Sequence, residues 1–179
     1  MKFLKFIFIL CISIALHSCS EDANEPPLLL SNDTIEGNYD ITSMIVEQVE
    51  TVASSSGNSN LILTTITGVA DSFDDINFAL NANGTYTAVG GYRVVVTEVP
   101  NGESPITDTE IMIINASGTY QLDTTKNTIT FNPASGEFIE GEFGFNTFTS
   151  SSVIISQEDI EVNGNTTYTL KGTISLVRK

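Results

Sequence analysis

From Ile35 onward, apolar and polar residues alternate in short runs, broken by Gly, Asn, Asp and Ser at intervals of about a dozen residues. Successive side chains of a strand point to opposite faces, so this rhythm predicts half-buried β-strands. Strands are expected over 37–48, 61–67, 76–80, 85–89, 92–99, 110–114, 119–122, 128–131, 137–148, 152–157 and 166–177. In the first of these, Tyr39, Ile41 and Ile45 are placed on one face. Asn81-Ala82-Asn83-Gly84, Asn115-Ala116-Ser117-Gly118 and Asn163-Gly164 read as hairpin turns in which Gly supplies the positive φ. No segment holds a helical period, so there are no crossover helices and the strands must run up and down. The fold class is therefore all-β: an antiparallel up-and-down barrel of about 8–10 strands, closed because closure removes exposed edges.

The first residues follow another pattern. Lys2 and Lys5 precede an apolar run over 6–16, shorter than the roughly 20 residues of a membrane-spanning helix, and Cys19 follows. Residues 1–18 are predicted to be a secretory leader, 19–34 an acidic tether interrupted by Pro26-Pro27, and 35–179 the barrel domain. Removing the leader takes away Cys11 and the single histidine, His17, and the chain has no Trp. Cys19 is then the only thiol and no imidazole remains. Ser-His-Asp and Cys-His catalysis, His/Cys zinc sites and disulfides are excluded.

The full chain carries 7 basic and 22 acidic side chains, and loss of Lys2 and Lys5 moves the net charge from −15 to −17. Such a surface repels nucleic acid and anionic head groups. It is read as a solvated acidic coat, with divalent cations as the alternative attraction.

Leu16-His17-Ser18-Cys19 resembles the lipobox of bacterial lipoproteins, although His17 stands where a small or aliphatic residue is usual. The resemblance implies lipidation of Cys19 and anchoring in the outer membrane through that lipid. Leu28-Leu29-Leu30 is expected to pack against the barrel or the lipid surface. Ser20-Glu21-Asp22 is similar to the acidic signal that exports lipoproteins of Bacteroidota to the cell surface. Within the body, Gly37-Asn38-Tyr39 stands where lipocalin-like domains carry Gly-x-Trp. Ile76-x-Phe78 leading into Asn83-Gly84-Thr85-Tyr86, then Gly118-Thr119-Tyr120 with Ile129 and Phe131, resemble the hairpins of that family. Leu170-x-Gly-x-Ile174-x-Leu176-x-Arg178 resembles its last strand. Together these suggest a lipocalin-like lipoprotein of Bacteroidota, with Tyr39 in place of the family's Trp. The resemblance implies a non-catalytic protein binding a small apolar or amphipathic ligand, without a cofactor, and Arg178 packing over Tyr39 to close one end of the barrel.

Several clusters bear on function. Tyr39, Phe78, Tyr86, Tyr120, Phe131, Phe143, Phe145 and Tyr168 are expected inside, either lining a ligand cavity or filling the core. Asp71, Asp74 and Asp75, expected in a loop, offer hard oxygen ligands for Ca²⁺ but lack the spacing of an EF-hand loop. Glu137, Glu140 and Glu142 on one strand are a carboxylate set of the glycosidase type, or a solvent face. Thr34 and Thr124 follow aspartates in a pattern resembling the O-glycosylation sites of Bacteroidota, with Thr34 favoured. The alternative to a ligand-binding barrel is a cell-surface structural or partner-binding module with a filled core, acting through its loops.

Overall fold

A computed structural model describes residues 28–54 and 60–179 of the chain. The leader and Cys19 lie outside them. A four-residue helix, α1 (Asn32–Ile35), precedes eight strands: β1 (Gly37–Ala53), β2 (Asn60–Leu80), β3 (Thr85–Pro100), β4 (Ile106–Asp123), β5 (Thr128–Ser135), β6 (Gly141–Phe148), β7 (Ser152–Asn163) and β8 (Thr166–Arg178). Each strand pairs antiparallel with its neighbour in sequence, and β8 returns to β1 to close an up-and-down barrel.

The strands are fewer and longer than the punctuation of the sequence suggests. The expected turn at 115–118 lies inside β4, opposite 86–89 of β3 and, in part, β5. Gly118 is there because backbones meet: a Cβ would sit 2.3 Å from the Asn132 carbonyl oxygen. Gly90 plays the same part in β3, where φ is +131° and a Cβ would meet the backbone of Ile76 at 2.7 Å. The expected loop at 71–75 is a bulged stretch of β2, with φ of +44° at Asp75. The strand expected over 137–148 starts only at Gly141. In β1 a register irregularity between Ile41 and Ser43 reverses the alternation, so Met44 follows Tyr39 and Ile41 on the inner face and Ile45 is turned outward.

Two lengths decide the shape. β5 and β6 have 8 residues each, whereas β2 has 21 and β4 has 18. On the β5 side, β4 is paired only from Ser117 to Asp123, and β7 is paired to β6 only from Val153 to Ser156. Below that level the barrel is closed. Above it the sheet continues as six strands in the order β4-β3-β2-β1-β8-β7, with free edges along 106–114 of β4 and 157–163 of β7.

The closed half holds the core. Tyr39, Phe78, Leu80, Tyr86, Phe131, Ile129, Ile155, Val153 and Leu176 are all fully buried. Phe131 stands at the centre of a ring cluster, 5.4 Å from Tyr86, 5.9 Å from Phe143 and 6.0 Å from Phe78, in tilted or edge-on geometries. α1 seals the bottom. Ser31 caps it through a reciprocal capping box with Thr34, Ile35 is fully buried, and Leu30 packs on the core.

Candidate functional site: an apolar trough above the core

Between β5 and β6 the chain turns inward at 136–140. Phe138 packs edge-on against Phe78 at 5.9 Å, Ile139 is buried, and its carbonyl accepts from the Tyr86 hydroxyl at 3.4 Å. This segment roofs the core and becomes the floor of an open trough in the upper half. One part of the trough, about 210 Å³, is lined by residues that include Met44, Val46, Phe138, Glu140, Gln157 and Leu170, with Phe143, Gly172 and Ile174 beside them. The adjoining part, about 250 Å³, is lined by Met44, Val46, Ile66, Gly68, Tyr92, Val94, Val96 and Leu170. Met44, Val46 and Leu170 belong to both, so the depression is continuous.

Two glycines make the depth. Val46 is paired with Gly68 on one side and Gly172 on the other. Neither glycine has the positive φ that would demand it. A Cβ at Gly172 would meet nothing within 4 Å, and one at Gly68 would touch only the Val94 methyl at 3.5 Å. Glycine weakens a strand interior and is unexplained there by backbone geometry; the space it leaves lies in the trough.

The two faces of the upper sheet differ in charge. Paired residues share a face. Glu110 is paired with Val94, Asp108 with Val96, Glu98 with Ile106, Glu50 with Tyr168, Asp159 with Leu170 and Glu161 with Tyr168. Six acids therefore rim the inner face, and none of the described Lys or Arg residues lies on it. The Glu50 charge raises the Tyr168 pKa, with help from burial, a hydrogen bond to Glu50 and the charge of Glu161. Burial raises that of Tyr92 in the trough wall. On the outer face Glu47, Asp71, Asp74 and Glu158 are accompanied by Arg93 and Lys171. Arg93 holds Asp71 through two hydrogen bonds of 2.8 Å, lowering the Asp71 pKa, and Lys171 lies 3.5 Å from Glu158.

The residues singled out by sequence fall into separate places. Tyr39, Phe78, Tyr86, Tyr120, Phe131 and Phe143 are buried in the closed half, where they occupy the interior rather than surround open space; Phe143 alone of these also reaches the trough. Phe145 is half-buried beside Phe148, ring centroids 5.6 Å apart, and Tyr168 stands near the tip of the trough face. Arg178 lies over Tyr39, 5.4 Å from the ring centroid, and its Nη2 donates to the Tyr39 hydroxyl at 2.9 Å and to the Thr34 carbonyl at 2.6 Å. Burial raises the Tyr39 pKa against the opposing pull of Arg178. Asp71 is engaged by Arg93 rather than facing Asp74 and Asp75, and no group of three possible metal ligands occurs among the described residues. Glu142 points outward to Lys126 at 3.6 Å, Glu140 borders the trough, and Glu137 lies in the inward loop, so the three carboxylates do not converge. The Thr34 hydroxyl donates to the Leu29 carbonyl at 2.7 Å within the α1 cap.

Of the trough lining beyond the core, Leu170, Gly172 and Ile174 stand in the last-strand motif read from the sequence, whereas Met44, Val46, Ile66, Gly68, Val94 and Val96 were not singled out. The signal for the others was the apolar residues continuing through 44–46 and 94–96, past those needed to fill the core, with Gly68 and Gly172 outside any turn. No family model, curated protein or solved structure matches the chain.

Proposed function

We propose that the chain is a non-catalytic binding protein that holds a small apolar or amphipathic molecule in the upper trough, and that it is a lipocalin-like, outer-membrane lipoprotein anchored through Cys19. The observation that carries the reading is the pair of glycines flanking Val46, which cost strand stability and leave open space above a packed floor. An apolar concavity of a few hundred Å³ with few polar groups is the usual form of a small-molecule site. The lipobox-like residues 16–19 support the anchor. Leu30 and Ile35 pack at the closed end, so a tether leaving from there directs the trough away from the membrane.

Native mass spectrometry of the chain purified from its producing cells tests this. A reproducible mass increment, lost on denaturation and lost in Gly172→Leu, is the expected result. A bare mass from cells and after incubation with lipid extract counts against it. A second reading, a partner-binding surface module, is favoured by the β4 edge, where Ile111 and Ile113 are each 77% exposed beside unpaired backbone. Capture of a defined protein partner that Ile111→Lys abolishes, with no small-molecule increment, would select it.

A further inference from the structure

The distribution of charge assigns a ligand class to the trough. We propose that it is selective for cationic amphiphiles, molecules with an alkyl or aryl body and one amine or quaternary ammonium head; this rests on the binding function proposed above. The apolar stripe formed by Met44, Val46, Ile66, Val94 and Leu170 receives the body. The head then lies among Glu50, Glu98, Asp108, Glu110, Asp159 and Glu161, which flank the stripe on both edges and at its tip.

The acidity of the whole chain does not account for this, because the outer face of the same six strands carries Arg93 and Lys171 among its acids and the inner face carries no described cation. The three other described basic residues are remote: Lys126 lies in the β4–β5 turn, and Arg178 and Lys179 bind Tyr39 and Asp40 at the closed end. A fatty acid or phospholipid entering the trough would place its anionic head beside six carboxylates with no partner, whereas an ammonium would be attracted by all of them. A concavity lined by one sign of charge also focuses its field, raising the local concentration of counter-charged ligand.

The test is calorimetric titration of the full mature chain with three submicellar probes that share a ten-carbon tail: decyltrimethylammonium, decyl maltoside and decanoate. The expected order is cation tightest, by about tenfold over the maltoside, with decanoate weakest. Raising salt narrows the gap, since the acids are at the surface. Glu50→Gln, Glu110→Gln, Asp159→Asn and Glu161→Gln together bring the cation to within about twofold of the maltoside while maltoside affinity holds. The outer-face changes Glu47→Gln and Asp74→Asn leave the preference in place. Equal affinity for all three probes would overturn the charge selectivity and leave the trough as a binding site. Tightest binding of decanoate, or a preference that falls with the outer-face changes and not the inner ones, would also overturn it. Failure of all three probes to bind would overturn the binding function itself.

Discussion

The two halves of this barrel are built from the same strands and do opposite things with them. Below Ser117 and Ser156 the inner residues include Tyr39, Phe78, Tyr86, Phe131, Ile129, Ile155 and Leu176, all fully buried, and ring centroids stand 5.4–6.4 Å apart. Above that level the inner face carries Met44, Val46, Ile66, Val94 and Leu170 beside Gly68 and Gly172, and two adjoining spaces of about 210 and 250 Å³ remain. The outer face changes too. Around the closed half it presents Asn38, Asp40, Thr87, Thr119 and Thr130; around the open half it presents Ile45, Val69, Val99, Ile111, Ile113 and Val162, all exposed. The cause is the shortness of β5 and β6, which closes the cylinder only where large side chains are available to fill it. Buried side chains are concentrated at one end, and the other end leaves an open apolar space.

Removing the centre of the ring cluster gives the largest expected effect. Phe131→Ala is expected to lower unfolding stability by about 3–5 kcal/mol, measured by urea denaturation, whereas Val96→Ala in the trough wall is expected to cost less than about 1.5 kcal/mol. Equal losses would mean that the halves do not differ. Glycines sharpen the contrast. Gly118→Ala drives a Cβ into the Asn132 carbonyl and is expected to cost about 1–3 kcal/mol, while Gly172→Ala meets open space and is expected to be neutral or to stabilise by up to about 1 kcal/mol.

Alkali tests the packing of the closed half through a hydroxyl buried there. Burial pushes the Tyr120 hydroxyl up to about 12, with smaller upward effects from Tyr39, Glu36 and Asp33. Its neutral form is favoured in the folded state, so its contribution is complete below the unfolded value near 10 and is lost as pH rises from there towards 12. The urea midpoint should fall across that window, and less so in Tyr120→Phe, which starts lower because the bond to the Asn81 carbonyl, 2.7 Å, is gone. The smallest effect is expected at the exposed Arg93–Asp71 pair on the outer face of the upper sheet, where Asp71→Asn should leave the midpoint within error and should not alter ligand binding.

Much of the closed half is legible in the sequence. The apolar alternation around Tyr39, Phe78, Tyr86, Phe131 and Leu176 reports burial directly, because a filled core needs large side chains on one face. Asn81–Gly84 and Asn163-Gly164 are turns for the backbone reason that made them readable, with φ of +80° at Gly84 and +63° at Gly164. Gly90 and Gly118 carry the same letters for another reason, the close approach of neighbouring backbones, and alternation within one strand carries no information about a neighbour. The aspartates at 71–75 look like a loop by composition, yet a bulge absorbs them within β2. The trough was hidden for a related reason. It depends on where β5 and β6 stop relative to β4 and β7, a relation between strands far apart in sequence, and on glycines whose significance is the space beside them.

Gly172→Leu tests the central claim most directly, with ligand affinity and urea midpoint measured on the same purified variant. The side chain enters the space that Gly172 leaves open beside Val46. Affinity for decyltrimethylammonium is expected to fall by at least about tenfold while the midpoint stays level or rises. Unchanged affinity with an unchanged midpoint would contradict that claim, placing the binding site, and the purpose of the open half, elsewhere.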